Sequence, residues 1–368
     1  MKTLYLHIGT PKTGTTAIQY FCHTNYDILL QRGLCYPDLG FRFPGIGQNR
    51  NAYFLSHRHY DAQKNRLYDA EERERESGFA KLEKLFSRYN TVVLSDEHIW
   101  NEEEIDETRL KEIQERVAKM GAVVKVIVYL RRQDQVIESY WAQQVKEDLQ
   151  LSFSKYIKEN KYTYFQLDYQ KRLQVFANAL GKENVIVRCY EKGQYQGAEH
   201  TILSDFLSIF GVESAGNFRN SNTVQNVSLH GIYLEVKRLL NQNPAYQTKQ
   251  NFIVKWLQKV QESREKTAYI KVNYFSDKQR EEYLARYESG NKYIAKEFLG
   301  REDGILFYDI SKGQTKKKKI SYKKKDMIAI CGDVIAMQEK EIQELKKKLE
   351  QKSLRGKVKK VYHVIKRK

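Results

Sequence analysis

The stretch Leu4-Tyr5-Leu6-His7-Ile8-Gly9-Thr10-Pro11-Lys12-Thr13-Gly14-Thr15-Thr16-Ala17-Ile18-Gln19-Tyr20-Phe21 decides the fold. Its first five residues suit a buried strand, and Thr15 to Phe21 has helical character. Between them, Gly9 and Gly14 bound a tight turn. Glycine lets a backbone bend closely around an anion, and the helix start behind it offers free N–H groups at the positive end of a dipole. Lys12 adds a point charge, and the threonines add hydroxyl donors. The segment therefore predicts a strand, a phosphate-binding turn and a helix.

Other strands lie further along. Thr91-Val92-Val93-Leu94-Ser95, the long run Ala122 to Leu130, and Asn184-Val185-Ile186-Val187-Arg188 are apolar and rich in β-branched residues. Such runs suit a parallel sheet covered on both faces. Charged amphipathic stretches at 70–90, 105–120, 167–180 and 200–210 alternate with them, which predicts α/β architecture. Residues 228–300 read as mostly helical. Residues 40–65 are rich in Gly, Asn, His and Arg without periodicity and read as a long loop. Asp303 to Phe307 reads as a short closing strand. The predicted fold is α/β, a P-loop-like parallel sheet flanked by helices, with a C-terminal basic helical tail.

Composition sets limits on function. The chain has 368 residues and a net charge of +18. Residues 312–368 hold 20 Lys and Arg against 6 Asp and Glu, so about +14 belongs to this tail. The body, 1–311, is nearly balanced, and specific nucleic-acid binding is not expected. The four cysteines show no metal-ligand spacing, which argues against a zinc site or disulfide framework and for a reducing compartment. No secretory signal or membrane span is visible.

The turn departs from the nucleotide pattern G-x-x-x-x-G-K-[ST], because Thr15 stands where that pattern has lysine. Lys12 lies on the other side of Gly14. With no acidic strand end suited to Mg²⁺, a kinase-like NTPase is the less favoured enzyme reading. A turn that only caps a helix is the bland alternative.

Pro11-Lys12-Thr13-Gly14-Thr15-Thr16 resembles the 5′-phosphosulfate loop of sulfotransferases, P-K-[ST]-G-[ST]-[ST] after a first strand. The resemblance continues at Arg131 and Ser139, where that family has an Arg and a Ser that hold the 3′-phosphate of the donor 3′-phosphoadenosine 5′-phosphosulfate (PAPS). Register with Ser139 selects Arg131 over Arg132. Looser likeness follows at Tyr190-Glu191-Lys192, Asn226-Val227-Ser228 and Gly290 to Phe298. The resemblance covers about residues 2–310 and implies a PAPS-dependent transferase that needs no metal. It also implies a carbohydrate acceptor, a bacterial cell-surface glycan or its precursor, and a cytoplasmic enzyme.

Sulfuryl transfer needs a base and help for the leaving phosphate. Lys12 is the expected cation. Asp96-Glu97-His98 follows a strand at the sheet edge where ligands bind in open α/β folds. Glu97 is the expected base, since heparan-type sulfotransferases carry a Glu at a similar place. His98 is second, because aryl sulfotransferases use a His, and Asp96 is third. An acidic cluster that merely caps a helix is the alternative.

In the tail, Ile328, Ile335, Ile342 and Leu349 recur every seven residues beside dense lysine. Three readings stay open there: an amphipathic helix on the inner face of an anionic membrane, pairing of two chains through 328–349, and a solubilising tail. A binding module acting through this tail is the non-enzyme alternative.

Overall fold

The computed structural model describes residues 1–101, 105–159, 167–219, 229–246, 250–264, 274–309 and 323–365, the last with side chains only to 351. By internal contacts the chain divides into two units. The first holds Met1–Tyr140, Ile157–Gln225 and Phe275–Thr315, and the second holds Trp141–Tyr156, Asn226–Tyr274 and Lys316–Lys368. The boundary expected at 311/312 lies outside the described residues, as does Asn226-Val227-Ser228.

The elements in chain order begin with β1 (Lys2–His7), α1 (Thr15–Thr24), α2 (Tyr26–Gln31), β2 (Leu34–Cys35), α3 (Tyr68–Phe86), β3 (Thr91–Ser95), α4 (His98–Asn101) and α5 (Glu107–Lys119). There follow β4 (Ala122–Leu130), α6 (Gln133–Glu147), α7 (Phe153–Lys158), α8 (Tyr169–Leu180), β5 (Val185–Cys189) and α9 (Ile202–Ser208). The last are α10 (Gly231–Leu240), α11 (Gln250–Arg264), α12 (Asp277–Ala285), α13 (Glu288–Glu297) and α14 (Lys324–Ile365).

Among the described residues the sheet has five strands in the order β2-β3-β1-β4-β5. Every pair is parallel. Strand β1 sits in the middle, with His7 opposite Ser95 on one side and Ile127 on the other. The α/β expectation is met. Apolar runs form the strands because both faces are covered. On one face Val93, Ile127 and Tyr129 pack with Ile18, Phe21, Leu203 and Phe206 of α1 and α9. On the other, α5 and α8 pack against β4 and against each other. Leu4, Leu6, Val92, Leu94, Val126 and Val128 are all buried.

Besides shifted ends at β1 and β5, two details differ from the expected strands. Leu34-Cys35 joins the edge as a two-residue strand that no pattern announced. Residues 303–307 form no strand. Gly304 turns there with φ of 66°, and the Arg301 side chain donates to the Ile305 and Leu306 carbonyls, 2.9 Å each, in place of a ladder.

In the second unit, α14 packs with α10 and α11. Lys259 pairs with Glu341 at 3.3 Å, and Arg264 pairs with Asp333. Ile330 is buried, while Ile328, Ile335, Ile342 and Leu349 stay exposed. Lys237 is buried within this unit, and its ammonium donates to the Val145 and Glu147 carbonyls, 3.2 and 3.3 Å, at the end of α6. A cation suits the negative end of a helix. Burial lowers its pKa to about 8.

Candidate active site

The turn after β1 is fixed by backbone bonds to β4. The Thr10 N–H and hydroxyl both donate to the Tyr129 carbonyl, at 2.9 and 3.1 Å. The Tyr129 N–H donates to the Gly9 carbonyl at 2.6 Å. The Thr13 hydroxyl closes the turn by donating to the Thr10 carbonyl. Gly9, Lys12 and Gly14 have φ of 85°, 69° and 78°. For a lysine this left-handed backbone costs about 1–3 kcal/mol, and such strain gathers at functional positions.

Neighbours crowd the same turn. A Cβ on Gly14 would lie 3.2 Å from the Tyr190 ring, and one on Gly9 would lie 3.2 Å from Glu97 Cβ. Gly14 stands at the N-cap of α1 and brings no side-chain oxygen to the first N–H groups. Those groups and the positive helix end are suited to an anion. Pro11 and Thr13 are buried, Lys12 is half-buried, and Thr16 is exposed.

The Thr15 hydroxyl donates to Glu97 Oε2. A carboxylate that follows β3 thus meets the turn that follows β1. Its neighbours have other partners. Asp96 is fully buried and takes Arg50 Nη2 on both oxygens, 2.9 Å each, with Nε at 3.1 Å. It also accepts the His98 N–H at 2.7 Å. Burial pushes the Asp96 carboxyl up, against the pull of Arg50. Asp96 therefore builds the corner and is closed to solvent. The His98 ring meets Tyr53 edge-on, with centroids 5.3 Å apart. Arg172 of α8 clamps the chain beyond, donating to the Ile99, Trp100 and Ile105 carbonyls at 2.8, 2.9 and 2.8 Å. Trp100 is core, stacked 6.1 Å from Phe176.

The two arginines after β4 take different partners. Arg131 Nη1 donates to the Lys12 carbonyl at 2.9 Å, and its guanidinium carbon lies 5.4 Å from the Tyr190 ring centre. Its own carbonyl accepts the Tyr169 hydroxyl at 2.6 Å. Arg132 is buried and held by Asp134 at 2.7 Å, which Arg280 also meets at 2.8 Å. Ser139 stands half-buried on α6, two turns beyond. The structure thus brings Lys12, Thr15, Glu97 and Arg131 around one turn.

His7 lies beneath that turn, fully buried, with Nδ1 2.8 Å from Ser95 Oγ. Burial lowers its pKa to about 3, so it is neutral at ordinary pH. It is a core histidine.

Beside the β3 corner lies a cleft of about 350 Å³ lined by Phe41, Arg42, Phe43 and Arg50 among others. Phe41 stacks on Phe54 at 5.3 Å, and Phe43 meets Tyr53 edge-on at 4.9 Å. That volume falls in the usual range of small-molecule sites.

No family model matches the chain. An uncharacterized protein of Archaeoglobus fulgidus is 26% identical over 185 residues, which is 50% of this chain and 48% of that protein. The chain thus matches about half the length of that relative. A crystal structure of a sulfotransferase from Alicyclobacillus acidocaldarius is similar with a TM-score of 0.37 and 13% identity. That likeness covers 70% of this chain and 96% of the other. The functional reading therefore rests on the residues of the site.

Two side chains that build this site carry no sequence signal. Arg50 pairs across 46 positions with Asp96, and Arg172 across 72 with Trp100. Each is a lone arginine in an ordinary setting, and only tertiary contact gives it a task.

Proposed function

We propose that this chain is a sulfotransferase that moves a sulfuryl group from PAPS to a hydroxyl of a carbohydrate acceptor. The observation that carries the reading is the Thr15–Glu97 hydrogen bond, which joins a carboxylate to an anion-binding turn bearing Lys12. PAPS supplies an activated sulfuryl group whose leaving group is a phosphate.

The turn and the start of α1 hold the 5′-phosphate through backbone N–H groups, that of Thr15 among them, and the Thr16 hydroxyl. Arg131 and Ser139 hold the 3′-phosphate, where a guanidinium fork can meet two oxygens. Glu97 accepts the proton of the acceptor hydroxyl as its oxygen forms the new bond to sulfur. The bond from sulfur to the bridging phosphate oxygen breaks, and Lys12 stabilises the charge that collects there. His98 is the alternative base. The aromatic cleft at residues 41–50 receives the sugar, with ring faces against its C–H groups and arginines against its hydroxyls. Titrating the protein by calorimetry with 3′,5′-adenosine diphosphate and AMP tests the donor. The diphosphate should bind much more tightly, and equal affinities would remove the roles of Arg131 and Ser139. Transfer of labelled sulfate to a panel of glycans tests the acceptor.

The tail belongs to the same proposal. No described helix is long and apolar enough to cross a membrane. The exposed stripe Ile328, Ile335, Ile342 and Leu349 on α14, among many lysines, suits attachment to an anionic membrane surface. Anionic vesicles at low salt should sediment the full chain but not a chain ending at Ser311. Soluble full-length protein under those conditions would refute the attachment.

A further inference from the structure

On the segment ahead of α3, two histidines converge on one carboxylate. His57 Nδ1 lies 3.0 Å from Glu74 Oε1, and His59 Nε2 lies 2.9 Å from Glu74 Oε2. His57 Nδ1 also lies 3.3 Å from Oε2, so one carboxylate faces both rings. The two rings are 4.3 Å apart at 60°. One donor atom from each of the three residues lies within 4.8 Å of the others. All three side chains are half-buried, at 17%, 31% and 13% exposure.

The backbone that presents them is held. The His59 N–H donates to Glu71 Oε1 at 3.1 Å, and the His59 carbonyl accepts the Leu67 N–H at 2.8 Å. Tyr60 and Arg66, next along each arm, form an antiparallel bridge. Glu71 is occupied by Arg66 at 2.8 Å. Glu74 rises from the second turn of α3, a rigid element. Positioning of this kind is what a cation site needs, because ligands held beforehand lose little freedom on binding.

The donor set decides the class of ion. Two imidazole nitrogens and one carboxylate oxygen suit zinc and related divalent ions, whereas magnesium and calcium take all-oxygen sites.

We propose that His57, His59 and Glu74 bind one divalent transition-metal ion of the zinc class, with solvent completing its coordination. The ion fastens the aromatic segment to α3. The His57 ring meets Phe43 at 4.4 Å and Tyr53 at 5.1 Å, and Tyr53 meets His98 at 5.3 Å. Metal binding thus orders rings that line the cleft and reach the β3 corner. The ion lies outside the sulfuryl-transfer chemistry, and its binding holds whichever reaction the site performs. It departs from the expectation that the protein has no metal.

The test is chelator-competition titration of the metal-free full-length protein with Zn²⁺, followed by Co²⁺ substitution. One equivalent should bind, and Co²⁺ should give the visible absorption of a four-coordinate site. Glu74→Gln and His59→Ala should each weaken Zn²⁺ by at least about 100-fold, beyond the 10–100-fold of an outer-shell change. His23→Ala should leave it unchanged. If His59→Ala does not fold, Glu74→Gln decides alone, since the amide keeps the shape and its oxygen. Zn²⁺ affinity unaffected by Glu74→Gln would overturn the proposal, as would Mg²⁺ binding as tightly as Zn²⁺.

Discussion

The turn at Gly9–Thr16 takes its shape chiefly from backbone, whereas the segment at 41–60 is tied to its surroundings chiefly by side chains. In the first, carbonyls and N–H groups of β1 and β4 bond directly, and positive φ angles at Gly9, Lys12 and Gly14 set the shape. In the second, rings stack and charges pair: Phe41 on Phe54, Arg50 on Asp96, His57 and His59 on Glu74. Backbone geometry of the first kind suits a ligand that never changes, such as a phosphate. Side-chain packing of the second kind can be rewritten by substitution without disturbing the sheet. Under the proposed function, donor binding and chemistry fall to one region and acceptor choice to the other.

The sharpest way to break that division is Glu97→Gln. The amide keeps the shape but accepts no proton, so transfer should fall by roughly 10²–10⁴ with every acceptor. Calorimetry with 3′,5′-adenosine diphosphate should be unchanged. Wild-type rates would move the base to His98. Lys12→Ala should lower turnover by roughly 10²–10³, the scale for one lost oxyanion stabiliser. A change confined to the Michaelis constant for PAPS would make Lys12 a ground-state contact. Arg131→Ala should weaken the diphosphate by about 2 kcal/mol, near 30-fold, and AMP much less. Equal losses for both would detach Arg131 from the 3′-phosphate. The smallest effect belongs to the other region. Phe43→Ala should raise the acceptor Michaelis constant about 5–10-fold, as for one lost aromatic contact of about 1 kcal/mol. Donor affinity should not move. A loss of donor binding there would erase the distinction between the two regions.

The same contrast explains what was legible in the sequence. Backbone-held parts announce themselves, because a buried strand needs a run of apolar residues and a tight turn needs glycine. Thr91–Ser95 and Ala122–Leu130 are strands with the expected ends, and β5 is displaced by a single residue. Strand β2 has two residues, too few for any periodicity. The stretch 303–307 is apolar enough for a strand, but Arg301 takes its carbonyls. Parts held by side chains leave no local trace. Asp96 read as a candidate base until Arg50 claimed it from a loop of no recognisable pattern. His57 and His59 stood in that same loop, and nothing in their spacing pointed to Glu74 on the helix that follows.

The position of β1 has a further consequence, in the order of assembly. It precedes the other four strands of the sheet in the chain, yet it is the middle of the sheet. Its partners are Thr91–Ser95 and Ala122 onward. Until those arrive, Leu4 and Leu6 have no neighbours on either edge, and the turn that follows has no Tyr129 carbonyl to hold it. Parallel pairing over such separations closes large loops before it gains contacts, which slows folding and prolongs exposure of apolar strands. Shielding of β1 should therefore be needed until β4 has followed it out. Substitutions in β4 should reduce the yield of folded protein before they alter anything measured in the protein that does fold.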